Sequence, residues 1–277
     1  MKVVFWSHVR GRCGTTMHMA CVAVAQALFA DSRVVMMENH EHLINIENCF
    51  VKMNGEGYIK DCSREYNVMG LENLMERFAV ATPAEEKILI NRCAMPFVQD
   101  KLYYLPHGYL RNGDLLDYEF CNNMVHLFDG LEKHFDKVFI DAFATESLAT
   151  KSIIESADLV IVNLNQNRSI LDHFFRNFAN LRNKAIFILG NYNSGMSNGL
   201  TEIRRKYQIA RDRIYAVPFC MEAAESESDG SLVNFIARNY MEPTLPNRDF
   251  INAIRSISDK LTGYSHELAI RHRLGLG

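Results

Sequence analysis

Five short, almost entirely apolar segments constrain the fold of this chain more than any other feature of its sequence. They read KVVFW at 2–6, RVVMME at 33–38, KVFIDAF at 137–143, DLVIVNL at 158–164 and AIFILGN at 185–191. Because their apolar residues are continuous rather than alternating, each segment predicts a strand buried on both faces, as in a parallel sheet. Helical patterns at 15–30, 146–156 and 168–182 lie between them. This alternation predicts a doubly wound, mostly parallel α/β sheet flanked by helices.

The last third of the chain predicts one more strand and two helices. The segment RIYAVPF at 213–219 is short and ends at Pro218, which cannot continue a central ladder. Helical spacing at 231–240 and 248–262 predicts amphipathic helices. The apolar stripe of the second helix consists of Phe250, Ile251, Ile254, Ile257 and Leu261. Its polar face mixes acidic, basic and hydroxyl side chains, so we expect a helix docked on the sheet rather than one bound to a membrane.

The domain organisation is expected to be simple. Hydrophobic residues make up 48% and charged residues 23% of the chain, which is typical of a globular protein and excludes a disordered one. Neither an internal repeat nor a low-complexity linker divides the sequence. Residues 1–277 are therefore expected to form one domain, with its least regular part at 45–130 and a C-terminal helix and tail over 248–277.

Charge and cysteine content narrow the classes of partner. The 30 Lys and Arg residues against 33 Asp and Glu residues give a net charge of −3, so no global field attracts nucleic acid or an anionic membrane. The densest basic cluster, at 204–213, is interpreted as a solvated helix face, and no specific nucleic-acid binding is predicted. Seven scattered cysteines without a C-x-x-C pair predict neither a disulfide framework nor a zinc site and favour a cytoplasmic location. No apolar run is long enough to span a bilayer, so membrane contact is expected to be at most peripheral.

The loop after the first apolar segment carries the main functional signal. Residues 7–16 read SHVRGRCGTT and lie between a predicted strand and a predicted helix, where phosphate-binding loops occur. Gly11 and Gly14 can adopt positive φ and let backbone N–H groups approach an anion. The hydroxyls of Thr15 and Thr16 can cap the helix or join a Mg²⁺ shell. The full G-x-x-x-x-G-K-[ST] pattern is absent, because the first glycine is missing and Thr15 occupies the lysine position, so a tight βα turn without a ligand remains an alternative.

The order of several motifs resembles that of ParA/MinD-type ATPases, which are P-loop proteins with a deviant Walker A motif. These motifs are RGRCGTT, KVFIDAF, ESADLVIVNLNQNRSILD, FILGNYN and VPFCMEAAESES. Within that superfamily the chain most resembles the TadZ-like proteins of Flp-pilus (Tad) secretion systems, whose loop reads W-S-x-x-H-G-x-x-G-T-T. Trp6-Ser7, Gly11 and the run from Gly14 to Thr16 match this form, and the resemblance covers most of residues 1–262.

The resemblance implies a site for ATP or ADP with Mg²⁺. The loop residues that it assigns to the nucleotide are Arg10, Gly11, Arg12, Cys13, Gly14, Thr15 and Thr16. Arg10 stands at the position of the signature lysine, which reaches the nucleotide of the partner subunit in a face-to-face homodimer. Thr16 stands at the position of the Mg²⁺ ligand, and Asp141 matches the aspartate that contacts the metal through water. For Asp141 alone, a helix N-cap or a turn remains the alternative.

Three further residues match the part of the family that binds the base. Asn191 matches the asparagine that reads the adenine edge, and Pro218 and Phe219 match the segment that closes over the base. The alternatives are a turn residue at Asn191 and a strand-ending proline followed by a core phenylalanine.

Two departures from the family pattern predict slow or absent hydrolysis. Thr15 replaces the P-loop lysine, so a set of charge-assisted hydrogen bonds worth about 1.5–3 kcal/mol is lost. The Asp-x-Asp that positions the attacking water becomes Glu38-Asn39-His40, and a neutral imidazole does not hold metal-bound water as a carboxylate does. Glu38 and His40 are the candidate catalytic positions. The histidines are scattered without metal-ligand spacing and predict no transition-metal site.

The resemblance and these departures together predict a nucleotide-binding homodimer that acts as a localisation or assembly factor for a pilus and secretion machine. We expect a cytoplasmic protein whose partners are proteins of that machine, at a cell pole or at the membrane surface. Two alternatives stay open. One is a nucleotide-free scaffold whose site has been emptied, and the other is an active ATPase of the partition or MinD type in which Glu38 is the first carboxylate to test.

Overall fold

The computed structural model describes residues 1–11, 13–40, 45–52, 69–78, 80–107, 113–142, 144 and 147–275. Within these ranges the chain forms one sheet of eight strands: β1 Lys2–Trp6, β2 Val34–Glu38, β3 Met95–Val98, β4 Leu102–Tyr104, β5 Lys137–Ala142, β6 Leu159–Leu164, β7 Ala185–Tyr192 and β8 Ile214–Pro218. Their order across the sheet is β3-β4-β2-β5-β1-β6-β7-β8, and the β3–β4 pair alone is antiparallel among these strands. The predicted doubly wound, mostly parallel sheet is confirmed.

Helices cover both faces of the sheet. Those in the described ranges are α1 Thr15–Phe29, α2 Gly70–Phe78, α3 Pro83–Cys93, α4 Gly113–His134, α5 Leu148–Ser156, α6 Arg168–Asn177, α7 Leu200–Tyr207, α8 Met221–Ser228, α9 Leu232–Asn239 and α10 Arg248–Arg273. Alternate residues of each strand face opposite layers. In β1, Val3 and Phe5 belong to the core beneath α1 and α8 to α10, while Val4 and Trp6 belong to the core beneath α2 to α7.

The predicted strands form because their side chains are apolar on both faces. Every residue of β2, β5 and β6 is buried, which matches the continuous apolar runs in the sequence. Strand β8 lies at an edge of the sheet and ends at Pro218, as the missing N–H of proline requires.

Four elements differ from the sequence predictions. The helix expected over 168–182 ends as α6 at Asn177, and a 3₁₀ helix follows over Ala179–Lys184. The edge pair β3 and β4 was not predicted, because one strand contains a proline and the other has only three residues. The last helix, α10, continues past residue 262 to Arg273.

The docking of α10 on the body of the protein is confirmed. Its predicted stripe is buried, with Ile251, Ile254, Ile257 and Leu261 fully inaccessible. The helix packs against α1 and β8. The Gln26 amide of α1 donates hydrogen bonds to the Ser258 carbonyl at 2.8 Å and to its hydroxyl at 2.7 Å. Within the described ranges, no helix combines the length and the apolar character that a membrane span requires.

Candidate functional site

The loop between β1 and α1 has the backbone conformation that its glycines predict. Gly11 and Gly14 have φ values of 69° and 68°. A Cβ atom at Gly14, the N-cap of α1, would lie 3.2 Å from the His18 ring, whereas one at Gly11 would meet no atom of the described residues within 4 Å. Gly11 is therefore required by its backbone conformation, and open space lies beside it. Arg12, which was predicted to belong to the site, lies outside the described residues.

The second threonine of α1 joins the loop to the centre of the sheet. The Thr16 hydroxyl donates a hydrogen bond to Oδ2 of Asp141, at 2.5 Å. Asp141 is only 2% exposed and lies within β5, paired in register with Phe5 of β1 and Glu38 of β2. The alternative that Asp141 caps a helix is wrong, because Ser147 is the N-cap of α5. The predicted pair of Mg²⁺-side residues is thus in direct contact.

The two candidate catalytic residues lie where β2 ends, next to Asp141. Glu38 is 1% exposed, and its carboxylate accepts hydrogen bonds from the Tyr104 hydroxyl at 2.6 Å and from the Ile46 N–H at 3.3 Å. The His40 Nε2 atom lies 3.6 Å from Oδ2 of Asp141. Glu38 is therefore held by two hydrogen bonds, and His40 lies beside the carboxylate of Asp141.

The environment of His40 favours its charged form. Burial alone would lower the pKa of His40, but the close contact with Asp141 and the negative charges of Glu38 and Asp141 outweigh burial, so the pKa is raised above 6.5. The neutral imidazole expected from the sequence is thus not the form that these neighbours favour. The reason is tertiary, since Asp141 is about a hundred residues away along the chain.

The loop and the ends of β2 and β5 border a small, open cavity. Its volume is about 90 Å³, and its lining residues are Ser7, Val9, Arg10, Gly11, Thr15, His40, Asp141, Ala142 and Ala144. The structure therefore brings the predicted residues Arg10, Gly11, Thr15, His40 and Asp141 together. The cavity is smaller than the roughly 300 Å³ of usual small-molecule pockets, and it matches the phosphate end of a nucleotide better than the whole of one.

Several residues pack against the loop from the protein interior, although no sequence motif indicated them. The His18 ring lies 2.8 Å from the Asn163 side-chain oxygen, measured from Nδ1. Burial lowers the pKa of His18 to about 4, so Nδ1 of the neutral ring carries the proton that Asn163 accepts. A Cβ atom at Gly190 of β7 would lie 2.2 Å from the Cys13 carbonyl oxygen. A glycine within the apolar segment 185–191 was the available signal for this close approach.

The predicted nucleotide residue Cys13 faces the interior. Its side chain is 2% exposed and accepts a weak hydrogen bond from the Ser7 hydroxyl at 3.5 Å. Burial raises the pKa of the Cys13 thiol. Cys13 can therefore contribute its backbone to the loop, while its thiol fills the space beneath it.

The three residues predicted to contact the base lie at the ends of β7 and β8, outside the lining of the small cavity. Asn191 has a φ of 50°, and the β7–β8 register shifts at this point. Asn191 therefore lies at an irregularity within β7 rather than in a turn, in a conformation that asparagine tolerates. Pro218 ends β8, and Phe219 is 64% exposed, so the alternative of a core phenylalanine is wrong.

Comparison with solved structures finds this architecture in partition and cell-division ATPases. A ParA family ATPase from Chlorobium tepidum TLS has 13% identity and a TM-score of 0.67, with 93% of this chain and 98% of that chain covered. The fold is that of ParA/MinD-type ATPases. MinD from Pyrococcus horikoshii OT3, complexed with Mg-ADP, has 15% identity and a TM-score of 0.64, covering 95% and 97%. A plasmid partition protein from Borrelia burgdorferi B31 bound to AMPPNP has 11% identity and a TM-score of 0.56, covering 94% and 98%.

Sequence comparisons give no corresponding match: no protein-family model and no curated protein matches this chain. The likeness to ParA/MinD-type ATPases is therefore a likeness of fold. In a doubly wound fold of this kind, ligands bind outside the carboxyl ends of the strands. The loop, Glu38, His40, Asp141 and Asn191 all lie at that edge.

Proposed function

We propose that this chain binds Mg²⁺ with ATP or ADP at the loop from Arg10 to Thr16, hydrolyses the nucleotide slowly or not at all, and acts as a homodimer. We further propose that the dimer is a localisation or assembly factor for a Tad/Flp-pilus secretion machine in the cytoplasm. The main observation in support of the nucleotide site is the 2.5 Å contact between Thr16 and Asp141, beside a loop with two positive-φ glycines.

The donor set fits Mg²⁺. Thr16 and Asp141 offer a hydroxyl and a carboxylate oxygen, the hard ligands that Mg²⁺ takes, and they lie at the N-terminus of α1. Backbone N–H groups at that terminus and the helix dipole favour phosphate. Bound there, the metal would neutralise phosphate charge. The Mg-ADP and AMPPNP complexes of the two fold neighbours support the same choice of ligand.

The surroundings of the site favour holding a nucleotide over hydrolysing it. Thr15 supplies no charge at the lysine position. Glu38 is engaged by the Tyr104 hydroxyl and the Ile46 N–H, which compete with an attacking water for its carboxylate. A protonated His40 can contact a phosphate oxygen but cannot accept a proton from water. A nucleotide that is retained in this way would stabilise the folded dimer.

The dimer and its role follow from the loop motif. Arg10 lines the small cavity and stands at the signature position that reaches the partner's nucleotide. A ligand bound by the dimer favours it by RT ln(1 + [L]/Kd), about 2.7 kcal/mol at one hundred times Kd. The pilus role rests on the match of Trp6-Ser7, Gly11 and Gly14 to Thr16 with the TadZ-like loop.

Thermal unfolding with and without Mg-ATP and Mg-ADP, combined with light scattering, tests this proposal. We expect a rise in melting temperature and a dimer-sized mass. The variants Asp141→Asn and Thr16→Val should lose the rise, while Asp259→Ala and Thr201→Val, at exposed positions, should keep it. No rise at millimolar nucleotide would favour the scaffold alternative. Steady phosphate release above background, lost in Glu38→Gln, would favour an active ATPase.

A further inference from the structure

The ends of β2 and β5 bring together three side chains that can each offer a metal ligand. Ligand atoms of Glu38, His40 and Asp141 all lie within 4.8 Å of one another. The exposed fractions of the three residues are 1%, 8% and 2%. Glu38 and Asp141 are partners in the parallel β2–β5 register, so the sheet itself sets the spacing of the two carboxylates.

Neighbouring groups orient both carboxylates. One oxygen of Glu38 accepts from the Tyr104 hydroxyl at 2.6 Å and the other from the Ile46 N–H at 3.3 Å. Oδ2 of Asp141 accepts from Thr16 at 2.5 Å. Each oxygen of Glu38 keeps a further lone pair for another partner, and Oδ1 of Asp141 has no hydrogen bond among the described residues. Outer hydrogen bonds of this kind hold metal-binding side chains in position and raise metal affinity.

The charge of the group matches a divalent cation. Two buried carboxylates this close repel each other, and burial makes the repulsion costly. To bind a cation, His40 must release the proton that its neighbours favour, and the cation then balances the two negative charges one for one. His40 and Asp141 both line the small cavity, so an ion that enters it meets two of the three ligands.

The identity of the donors selects the kind of ion. Carboxylates alone suit Mg²⁺, whereas imidazole suits ions of the first transition series. Mg²⁺ also gives up its waters reluctantly, which disfavours a buried set of three protein ligands. Three protein ligands with an open position are, in contrast, a common arrangement for Zn²⁺.

We propose that Glu38, His40 and Asp141 directly bind a divalent cation of the first transition series, and that the site prefers Zn²⁺ and Mn²⁺ to Mg²⁺. The site shares Asp141 with the proposed Mg-nucleotide site but does not require a nucleotide. It differs from the sequence expectation of no transition-metal site, because only the sheet brings Asp141 beside Glu38 and His40.

Isothermal titration of the metal-free full-length protein with ZnCl₂, MnCl₂ or MgCl₂, without nucleotide, tests the proposal. We expect one Mn²⁺ per chain, tighter binding of Zn²⁺, and binding of Mg²⁺ that is weaker than that of Mn²⁺ by at least about tenfold. His40→Gln and Glu38→Gln should each weaken Mn²⁺ binding by at least about tenfold. The exposed controls His126→Gln and Glu267→Gln should leave it unchanged.

Two spectroscopic measurements distinguish this site from metal binding elsewhere on the protein. Co²⁺ bound at the site should lack the near-ultraviolet absorption of a thiolate ligand, which identifies binding by one of the cysteines. Electron spin-echo spectra of Mn²⁺ bound to the unaltered protein should show coupling to one imidazole nitrogen. This readout holds even if the variants do not fold.

The proposal is overturned if His40→Gln binds Mn²⁺ as tightly as the unaltered protein, if bound Mn²⁺ shows no nitrogen coupling, or if Mg²⁺ binds as tightly as Mn²⁺. Nucleotide binding is followed separately through the melting temperature. A chain that binds Mn²⁺ but not nucleotide refutes the proposed function alone, and a chain that binds Mg-ATP but no free Mn²⁺ refutes the metal site alone.

Discussion

The two ends of the candidate site differ in how firmly the fold holds them. At the metal end, which consists of Thr16, His40 and Asp141, the latter two side chains are buried, and the three are linked by contacts of 2.5 and 3.6 Å. At the base end, which consists of Asn191, Pro218 and Phe219, the phenyl ring is 64% exposed and Asn191 is exposed as well.

This contrast predicts which part of the proposed nucleotide would contribute most to its affinity. Groups already held in their binding geometry lose little conformational entropy when a ligand arrives. Exposed groups at the base end must be ordered at that moment, which costs part of their interaction energy. We therefore expect phosphate and metal to dominate affinity and the base to add little.

A substitution at Gly190, which packs beneath the loop at the metal end, should have the largest effect on the free energy of unfolding. Gly190→Ala places a Cβ atom 2.2 Å from the Cys13 carbonyl oxygen and 2.9 Å from the His18 ring. We expect a loss of about 1–3 kcal/mol in the free energy of unfolding, because backbone must shift. Urea denaturation measures this free energy. Gly263→Ala in α10 is the control, since a Cβ there meets no atom within 4 Å, and it should be neutral or stabilising. Equal stability of the two variants would contradict the close packing of β7 against the loop.

Removing one hydrogen bond at the metal end should have the next largest effect. Tyr104→Phe deletes the hydroxyl that donates to Glu38 at 2.6 Å, in a position where both residues are 1% exposed. We expect a cost of about 1–2 kcal/mol in the free energy of unfolding, since the carboxylate loses a buried donor. Tyr118→Phe, at a side chain that is 63% exposed, should change it by less than about 0.5 kcal/mol. If both variants unfold at the same urea concentration, Tyr104 does not hold Glu38 in solution.

Acidification should lower the stability of the folded protein through His8, which lies in the first part of the loop. His8 stacks on His173 with ring centroids 5.2 Å apart. Burial, and secondarily the charge of His173, lower the pKa of His8 from 6.5 to about 4. The unfolded chain therefore binds a proton below pH 6.5 that the folded chain refuses until about pH 4, so stability present above pH 6.5 is lost as the pH falls through this window.

The size of this effect is reduced because His8 is only half-buried. We expect the His8 contribution to fall by on the order of 1 kcal/mol between about pH 7 and pH 5. Urea denaturation of the unaltered protein and of His8→Gln at both pH values isolates it, because titration of the other groups is common to the two. An equal loss of stability on acidification in both proteins would show that His8 titrates normally.

Truncation at the base end should have the smallest effect on the fold. Phe219→Ala removes an exposed ring, so we expect a change of less than about 0.5 kcal/mol in the free energy of unfolding. A nucleotide titration should show a loss of affinity smaller than that of Asp141→Asn. A larger loss for Phe219→Ala would mean that the base end orders on binding and contributes more than the metal end.

Much of the fold could be predicted because the local pattern of apolar residues requires the same burial that the tertiary structure provides. A continuous apolar run such as residues 159–164 is stable only where both faces are covered, and that requirement already predicts parallel strands with helices between them. The edge strand β3 is largely uncovered and contains a proline, and its neighbour β4 has only three residues, so neither presents such a run. Helical periodicity likewise does not predict the 3₁₀ segment after Asn177.

The candidate site also has some features that the sequence predicts and others that it does not. Positive φ at Gly11 and Gly14 and the start of α1 at Thr15 could be predicted, because they depend on neighbours in the sequence. The exposure of Phe219 could not, since proline followed by phenylalanine fits a strand end equally well in the core and at the surface.

The parallel sheet, the loop after β1 and the buried stripe of α10 could all be predicted, because each depends on a local pattern of apolar residues or glycines. Only the fold, in contrast, brings Glu38 and His40 to Asp141, places His18 and Gly190 beneath the loop, and gives His40 the neighbours that favour its charged form. The physical reason is that parallel strands from distant parts of the chain end at the same edge, so hydrogen bonding between strands, rather than sequence spacing, sets the distances between these groups.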